Sequence, residues 1–191
     1  MIAAPMYSFD FLTRSPRLRR IGMLASLLAA VLCPPTAAAA GPIASLEQAQ
    51  SMWLQGQQQQ ALQLVRAALQ TQPNDSRLRF ALASMQLELR QTGEAELGLI
   101  GLTQDHPDLA DPYNNLAVIR AARGDLASAR DALEQALRLQ PDHAQALENL
   151  GDVLVRLAAQ HYERAQRFAS GDKQALMLKL QRSQALLQRG D

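Results

Sequence analysis

Small and apolar residues recur every three to four positions through most of the chain after residue 42, as is typical of amphipathic α-helices. Between residues 126 and 137 this spacing is carried by Leu126, Ala129, Leu133, Ala136 and Leu137. Near the end of the chain it predicts one more helix over residues 173–189, with an apolar side formed by Leu176, Leu180 and Leu187. The pattern therefore predicts an all-α fold.

Three prolines impose a longer period on this helical pattern. Pro73, Pro107 and Pro141 are evenly spaced and define a 34-residue period. Placing each proline near the end of a unit gives units at 42–75, 76–109 and 110–143, with a fourth, degenerate unit at 144–170 that lacks the closing proline. A generic helical bundle would share the 3.6-residue periodicity but not this proline register, so the pattern favours a repeat protein.

The third unit carries the most complete motif. Tyr113 is followed by the Leu116-Ala117 pair, then by Gly124 at mid-unit, and the unit ends in the small residues Ala129 and Ala136 and in Pro141. This unit resembles the tetratricopeptide repeat, a motif of the same length that forms two antiparallel helices. The resemblance implies a right-handed superhelical solenoid of about 3.5 helix-turn-helix repeats over 41–170, with a capping helix in 171–191.

The motif also predicts local features and departures from them. Gly124 is expected in a left-handed conformation at the turn, and three aspartates are expected to cap helices, namely Asp111, Asp125 and Asp142. In the second unit the mid-unit glycine is missing, which predicts a turn shifted to residues 91–93. In the first unit Ser45 and Gln48 replace the large residues of the motif, which predicts a frayed cap.

The first forty residues have the pattern of an export signal. Four arginines in residues 14–20 precede 13 uncharged residues at 21–33, and Ala38 and Ala40 form a small-x-small cleavage site. We expect residues 1–40 to be removed and the mature chain to lie in the periplasm of a Gram-negative bacterium. Three alternatives stay open: an uncleaved membrane anchor, a lipoprotein modified at Cys33, and a buried N-terminal helix.

Charge and composition exclude several classes of function. Residues 41–191 contain 15 Lys and Arg against 17 Asp and Glu, and this balance predicts no nucleic-acid partner. Cys33 is the single cysteine, so no disulfide framework is possible. No metal-ligand spacing, phosphate-binding loop or nucleophile motif occurs, so we expect no catalytic residue, cofactor or metal. An enzyme would require a cluster of residues that the sequence does not mark.

By resemblance to tetratricopeptide proteins, the first helix of each unit lines a concave groove. The predicted groove residues are Arg77, Phe80, Ser84, Leu87, Asn114, Asn115, Val118, Gln145, Glu148, Asn149, Asp152 and Arg156. Asn115 and Asn149 share a column in which the family often uses asparagine to bind a ligand's backbone, although an asparagine there could instead join neighbouring helices. Asn114, Glu148 and Asp152 lie where a clamp for acidic C-termini would need Lys or Arg.

These residues and the export pattern predict a non-enzymatic scaffold of the bacterial cell envelope. Its partner would be a protein or an extended peptide held in the groove, without insertion of the mature chain into a membrane. The alternative is a membrane-attached assembly factor for a pilus, a secretion system or the outer membrane, which a retained segment at 21–33 or a lipidated Cys33 would distinguish.

Overall fold

The computed structural model describes residues 42–171 and 173–188, and this part of the chain is helical apart from short turns. Its helices are α1 Pro42–Leu54, α2 Gln58–Thr71, α3 Ser76–Glu88, α4 Thr92–Asp105, α5 Ala110–Ala122, α6 Leu126–Leu139, α7 Ala144–Phe168 and α8 Lys173–Gln188. Each helix packs against the next along the chain, which confirms the predicted all-α repeat fold. The predicted export segment at 1–40 lies outside the described residues.

The first six helices form three pairs of equal size. The first helix of each pair (helix A) has 13 residues and the second (helix B) has 14. Equivalent helices begin one period apart, at residues 42, 76 and 110 for helix A. The first unit is therefore a full helix pair, and the expectation of a frayed cap there is wrong.

The turns between the paired helices share one column of the repeat. Gly56, Arg90 and Gly124 occupy this column in successive units and have φ values of 79°, 60° and 82°. The left-handed conformation expected at Gly124 is confirmed. The shifted turn expected at residues 91–93 is wrong, because Arg90 adopts the left-handed conformation in the normal column and α4 begins at Thr92.

The helix caps only partly follow the sequence expectation. Asp125 accepts a hydrogen bond from the Ser128 N–H at 3.2 Å and caps α6, as predicted. Asp111 does not cap α5, because the helix already begins at Ala110 after Leu109. Asp142 does not cap α7 either. That cap is His143, whose Nδ1 accepts a hydrogen bond from the Ala146 N–H at 3.3 Å.

The core consists of small and aliphatic residues in repeating columns. Ala61, Ala95 and Ala129 of the B helices are all 0% exposed, as are Val65, Leu99 and Leu133 one turn later. On the A helices the same holds for the column of Ala49, Ala83 and Ala117. A small side chain lets two helices approach closely, and the larger residues fill the space beside the crossing.

The fourth unit departs from this plan. Its expected helix pair is a single helix, α7, which runs for 25 residues without a turn. The three helix B columns hold Glu163, Arg167 and Ser170 here instead of alanine, leucine and valine. A helix B in this register would bring charged and polar side chains into the buried columns. The chain instead continues through the turn column, and α8 packs against α7.

Candidate functional site

A groove runs along the inner side of the A helices. It encloses about 460 Å³ between α1, α3, α5 and α7, and its lining consists of Leu46, Gln50, Arg77, Phe80, Ala81, Ser84, Met85, Asp111, Asn114, Asn115, Gln140, His143, Ala144 and Gln145. The repeat period positions this lining, because equivalent residues of successive A helices face the same side. Leu46, Phe80 and Asn114, for example, occupy one column.

The end of the groove next to α1 and α3 is mainly apolar. Leu46 and Phe80 are partly buried there, and Met85 is 6% exposed in the core beneath them. Arg77 stands beside this apolar end, where its side chain is 59% exposed and pairs with Asp75 at 3.2 Å. This end can therefore contact an apolar side chain while offering one cation at its border.

The middle of the groove rests on a row of hydrogen-bonded polar side chains, which we call the amide ladder and which consists of Ser84, Asn114, Asn115, Gln145 and Asn149. Asn115 Nδ2 donates to Ser84 Oγ at 3.4 Å, and Asn114 Nδ2 donates to Asn115 Oδ1 at 3.3 Å. Asn149 Nδ2 donates to Asn114 Oδ1 at 2.8 Å, and Gln145 Nε2 donates to Asn149 Oδ1 at 3.1 Å. The ladder thus connects α3, α5 and α7.

Burial changes the interpretation of the two predicted backbone-binding asparagines. Asn149 is 1% exposed and Asn115 is 7% exposed, and both are engaged within the ladder. Neither side chain is therefore presented freely to solvent. Their amides take part in bonds across neighbouring helices, which is the second of the two roles that the sequence left open.

One acceptor of the ladder has no partner. Gln145 is 6% exposed and lines the groove, and its Oε1 atom makes no hydrogen bond with the described residues. A buried amide oxygen without a partner is costly, and an N–H group of a bound molecule would satisfy it. Gln145 Oε1 is therefore an unsatisfied acceptor just beneath the surface of the groove.

The charged groups at the α5–α7 end are mostly acidic. Asp111 Oδ1 lies 3.0 Å from His143 Nε2, and its side chain is 61% exposed. Because His143 Nδ1 accepts the Ala146 N–H, the neutral ring carries its proton on Nε2 and donates it to Asp111. Glu148 is exposed beside this end, with its Oε2 atom 3.4 Å from Gln145 Nε2.

Half of the predicted groove residues line the observed groove. Arg77, Phe80, Ser84, Asn114, Asn115 and Gln145 do so, whereas Leu87, Val118, Glu148, Asn149, Asp152 and Arg156 lie outside the lining. Sequence reasoning missed Leu46 and Asp111, although the repeat columns could have identified both. Leu46 shares the column of Phe80, and Asp111 shares that of Arg77 and Gln145.

The described part of the chain was also compared with the requirements of a metal site and of a membrane-spanning helix. Within residues 42–171 and 173–188, no three His, Cys, Asp or Glu side chains lie close enough together to hold a metal ion. Among the same residues, none of the helices combines the length and the apolar character needed to cross a membrane.

The sequence profile named Tetratricopeptide repeat matches residues 110–143, which are the third unit. A search of curated protein sequences found no match.

Several solved structures share the fold. The first tetratricopeptide repeat domain of human RPAP3 is 20% identical with a TM-score of 0.58, over 63% of this chain and 95% of that domain. The first repeat domain of Spaghetti (RPAP3), bound to the HSP90 peptide SRMEEVD, is 20% identical with a TM-score of 0.57, over 62% of this chain and 94% of that one. The protein TTC0263 of Thermus thermophilus is 23% identical with a TM-score of 0.57, over 66% of this chain and 70% of that one. The third unit thus matches the tetratricopeptide repeat, and the two units before it follow the same 34-residue plan in a fold that these solved structures share.

Proposed function

We propose that this protein is a non-enzymatic scaffold that holds an extended segment of a partner protein in the groove of the A helices. The observation that carries the proposal is the buried, unpartnered Gln145 Oε1 in the floor of an open groove. An extended polypeptide supplies backbone N–H groups at regular intervals, and one of these can satisfy that oxygen once the Gln145 side chain turns into the groove. The apolar surface of Leu46 and Phe80 would accept a side chain of the same segment.

Structural neighbours that hold peptides support a peptide ligand for this chain, but its groove does not suit the acidic peptides that they bind. The solved repeat domains include one bound to the HSP90 peptide SRMEEVD and one in complex with the HSP70 peptide SGPTIEEVD. Both peptides are acidic towards their C-terminal end. In this chain Asn114, Glu148 and Asp152 occupy the columns where cations would be needed, and Asp111 adds further negative charge. The preferred segment is therefore an internal one that is neutral or basic where it meets α5 and α7.

A peptide library displayed without free C-termini tests this proposal directly. Purified protein should select extended segments, and replacement of Phe80 by Ser or Arg77 by Glu should weaken their binding about three- to tenfold, since each removes about one contact. Arg130→Ala and Glu134→Ala on helix B of the third repeat are matched controls that should leave binding unchanged. Binding that depends on the helix B positions and not on Phe80 or Arg77 would place the function on the convex side.

The cellular setting forms the second part of the proposal. We propose that residues 1–40 direct export and are removed, so that the scaffold works in the periplasm of a Gram-negative bacterium in envelope assembly or maturation. The proposal rests on the arginines of 14–20, the apolar run of 21–33 and the alanines before Gly41. Intact-mass measurement of the exported protein tests it, because removal of residues 1–40 predicts a chain beginning at Gly41.

The same measurement decides the alternative of a membrane-attached pilus, secretion or outer-membrane assembly factor. A mass that retains the segment at 21–33 would support an anchored protein, and a chain that begins at an acylated Cys33 would support a lipoprotein. Either mass would contradict the periplasmic proposal but would leave the groove proposal intact.

A further inference from the structure

One side of α7 is open in a place where the other A helices are covered. Ala49, Ala83 and Ala117 occupy a small-residue column that is 0% exposed in three units, because helix B of the same unit packs on it. Gly151 is the fourth member of this column. It is exposed, and a Cβ atom added there would meet nothing within 4 Å. The fourth unit therefore presents the surface on which its missing helix B would lie.

This surface, which we call the α7 seat, consists of Leu147, Leu150, Gly151 and Leu154. Leu147 is 50% exposed and Leu154 is 47% exposed, whereas their equivalents Tyr113 and Arg120 are partly buried in the third repeat. Helix α8 does not reach the whole of α7. At 1.5 Å per residue α8 is about 24 Å long and α7 about 37 Å, so the N-terminal part of α7 extends beyond it.

The outer side of α8 presents a second unpartnered surface. Leu176, Leu180 and Leu187 are less exposed than Leu178 and Leu186, which are 47% and 61% exposed. Arg182 lies between these two on the same side of the helix, one turn from each, and it is exposed. We call Leu178, Arg182 and Leu186 the α8 stripe.

Charge distinguishes the two surfaces. Residues 41–163 contain 9 Lys and Arg against 15 Asp and Glu, whereas residues 164–191 contain 6 against 2. Helix α8 has Lys173, Lys179 and Arg182 and no acidic residue. The α7 seat, in contrast, is bordered by Glu148 and Asp152, which flank Gly151 along the helix. The apolar seat with an acidic border therefore complements the apolar stripe with its cation.

We propose that the α7 seat binds the α8 stripe of a second copy of this chain, in a two-fold symmetric dimer. The spacings agree: Leu147 and Leu154 are seven positions apart, about 10 Å along α7, and Leu178 and Leu186 are eight apart, about 12 Å along α8. Gly151 lies between the two seat leucines, where the absence of a side chain leaves room for a helix to approach closely.

A second copy fits these surfaces better than an unrelated partner does. The seat and the stripe belong to the same pair of packed helices, α7 and α8. In a two-fold dimer each contact occurs twice, so one copy's stripe fills the other's seat while its own seat is filled in return. The arrangement covers the exposed leucines of both helices and pairs the basic end of each chain with the acidic border of its partner.

Reversal of charge tests the dimer with the whole expressed chain. Sedimentation equilibrium of the purified protein should give a dimer. The pair Glu148→Lys and Asp152→Lys should raise its dissociation constant more than about tenfold, and so should Arg182→Glu, because each brings like charges together. All three changes combined should restore most of the dimerisation, since complementarity returns with opposite signs.

Exposed residues elsewhere provide matched controls. Leu97 on α4 is 74% exposed, and Arg66 on α2 is also exposed. Leu97→Ser and Arg66→Glu should leave the dimer unchanged, whereas Leu154→Ser should weaken it. Circular dichroism should show equal helix content in all variants.

Three outcomes would overturn the proposal. A monomeric protein at all concentrations would do so, and so would a dimer that none of the charge reversals weakens. A monomer that binds vesicles of anionic phospholipid through Arg182 would instead identify a membrane surface as the partner of α8.

Discussion

Helix α5 of the third repeat and helix α7 of the fourth unit begin in the same column of the 34-residue register, but only α5 ends at the turn column. After Ala122 the chain turns through Gly124, and α6 returns along α5 with Ala129, Leu133 and Ala136 buried between them. After the equivalent point in the fourth unit α7 continues to Phe168. The residue in the turn column is Ala158, and Glu163, Arg167 and Ser170 occupy the columns that would have to be buried.

This difference shows what ends a helix in this repeat. Absence of glycine in the turn column is not sufficient to prevent a turn, because Arg90 adopts the left-handed conformation in the second repeat. There the following helix has Ala95, Leu99 and Leu102 to bury, and their burial outweighs the strain at Arg90. The turn is therefore stabilised by the apolar side of the helix that follows it, whereas the fourth unit has Glu163, Arg167 and Ser170 in the columns that this side would use.

Breaking the contact between α5 and α7 should have the largest effect on the free energy of unfolding. Asn149 of α7 donates to Asn114 of α5 and accepts from Gln145, so Asn149→Ala removes both of these hydrogen bonds from a buried site. Each group left unsatisfied costs about 1–3 kcal/mol, and we expect the free energy of unfolding to fall by about 2–4 kcal/mol. Urea unfolding followed by circular dichroism measures it.

A surface asparagine serves as the matched control for this change. Asn74 lies exposed in the turn after α2, so Asn74→Ala should change the free energy of unfolding by less than about 0.5 kcal/mol. An Asn149→Ala variant as stable as the original protein would contradict the role of the amide ladder.

Sequence reasoning identified the period, the first three helix pairs and 6 of the 14 residues that line the groove. It succeeded where a column repeats, as with the three evenly spaced prolines and the column of Ala61, Ala95 and Ala129, because burial is imposed in the same way in each unit. It failed where two columns meet across helices. Asn114 and Asn149 belong to different columns of neighbouring units, and only the packing of α5 against α7 shows that they bond to each other and not to a ligand.

The small-residue column provides the second test of the comparison. Ala117 is 0% exposed against α6, so Ala117→Leu should overpack the crossing and lower the free energy of unfolding by about 1–3 kcal/mol. Gly151 occupies the same column without a neighbour from its own chain, and Gly151→Ala should raise the free energy of unfolding of the monomer by about 0.5–1 kcal/mol because alanine favours a helix interior. Chemical denaturation of both variants measures these changes in the free energy of unfolding. Equal effects at the two positions would mean that the column has the same environment in both units.

Two matched substitutions in the turn column, one in each unit, should have smaller effects on stability. Gly124 has φ of 82°, so Gly124→Ala should cost about 1–2 kcal/mol for placing a side chain in the left-handed region. Ala158 lies inside α7, and Ala158→Gly should cost about 1 kcal/mol through lower helix propensity. Thermal unfolding measures both. Hydrogen exchange of the amides near residue 158 should also show a continuous helix in the original protein, and rapid exchange there would indicate a turn.

The smallest expected effect concerns the column that caps the A helices, which holds Asp75, Leu109 and His143 before α3, α5 and α7. Leu109 gives α5 no side-chain cap, whereas the Asp75 carboxylate accepts hydrogen bonds from the N–H groups of Arg77 and Leu78 at 2.9 and 3.2 Å. Burial raises the pKa of Asp75, but these bonds and the Arg77 side chain outweigh it and hold the pKa below its usual value. We expect Asp75→Ala to lower the free energy of unfolding by about 1 kcal/mol and Asp75→Asn to preserve it, because an asparagine oxygen can still cap the helix.

The pH dependence of the free energy of unfolding distinguishes the contribution of the Asp75 charge from that of its hydrogen bonds. Because the folded protein holds the pKa of Asp75 below the unfolded value, the charged group contributes stability above about pH 4, and this contribution is lost as the pH falls through the lower folded value. Urea unfolding of the original protein and of Asp75→Asn between pH 7 and pH 2.5 should therefore give two curves that run parallel down to about pH 4 and change their separation below it. Other carboxylates titrate in both proteins alike, so the difference between the curves isolates Asp75. Curves that stay parallel over the whole range would mean that the cap stabilises α3 through its hydrogen bonds and not through its charge.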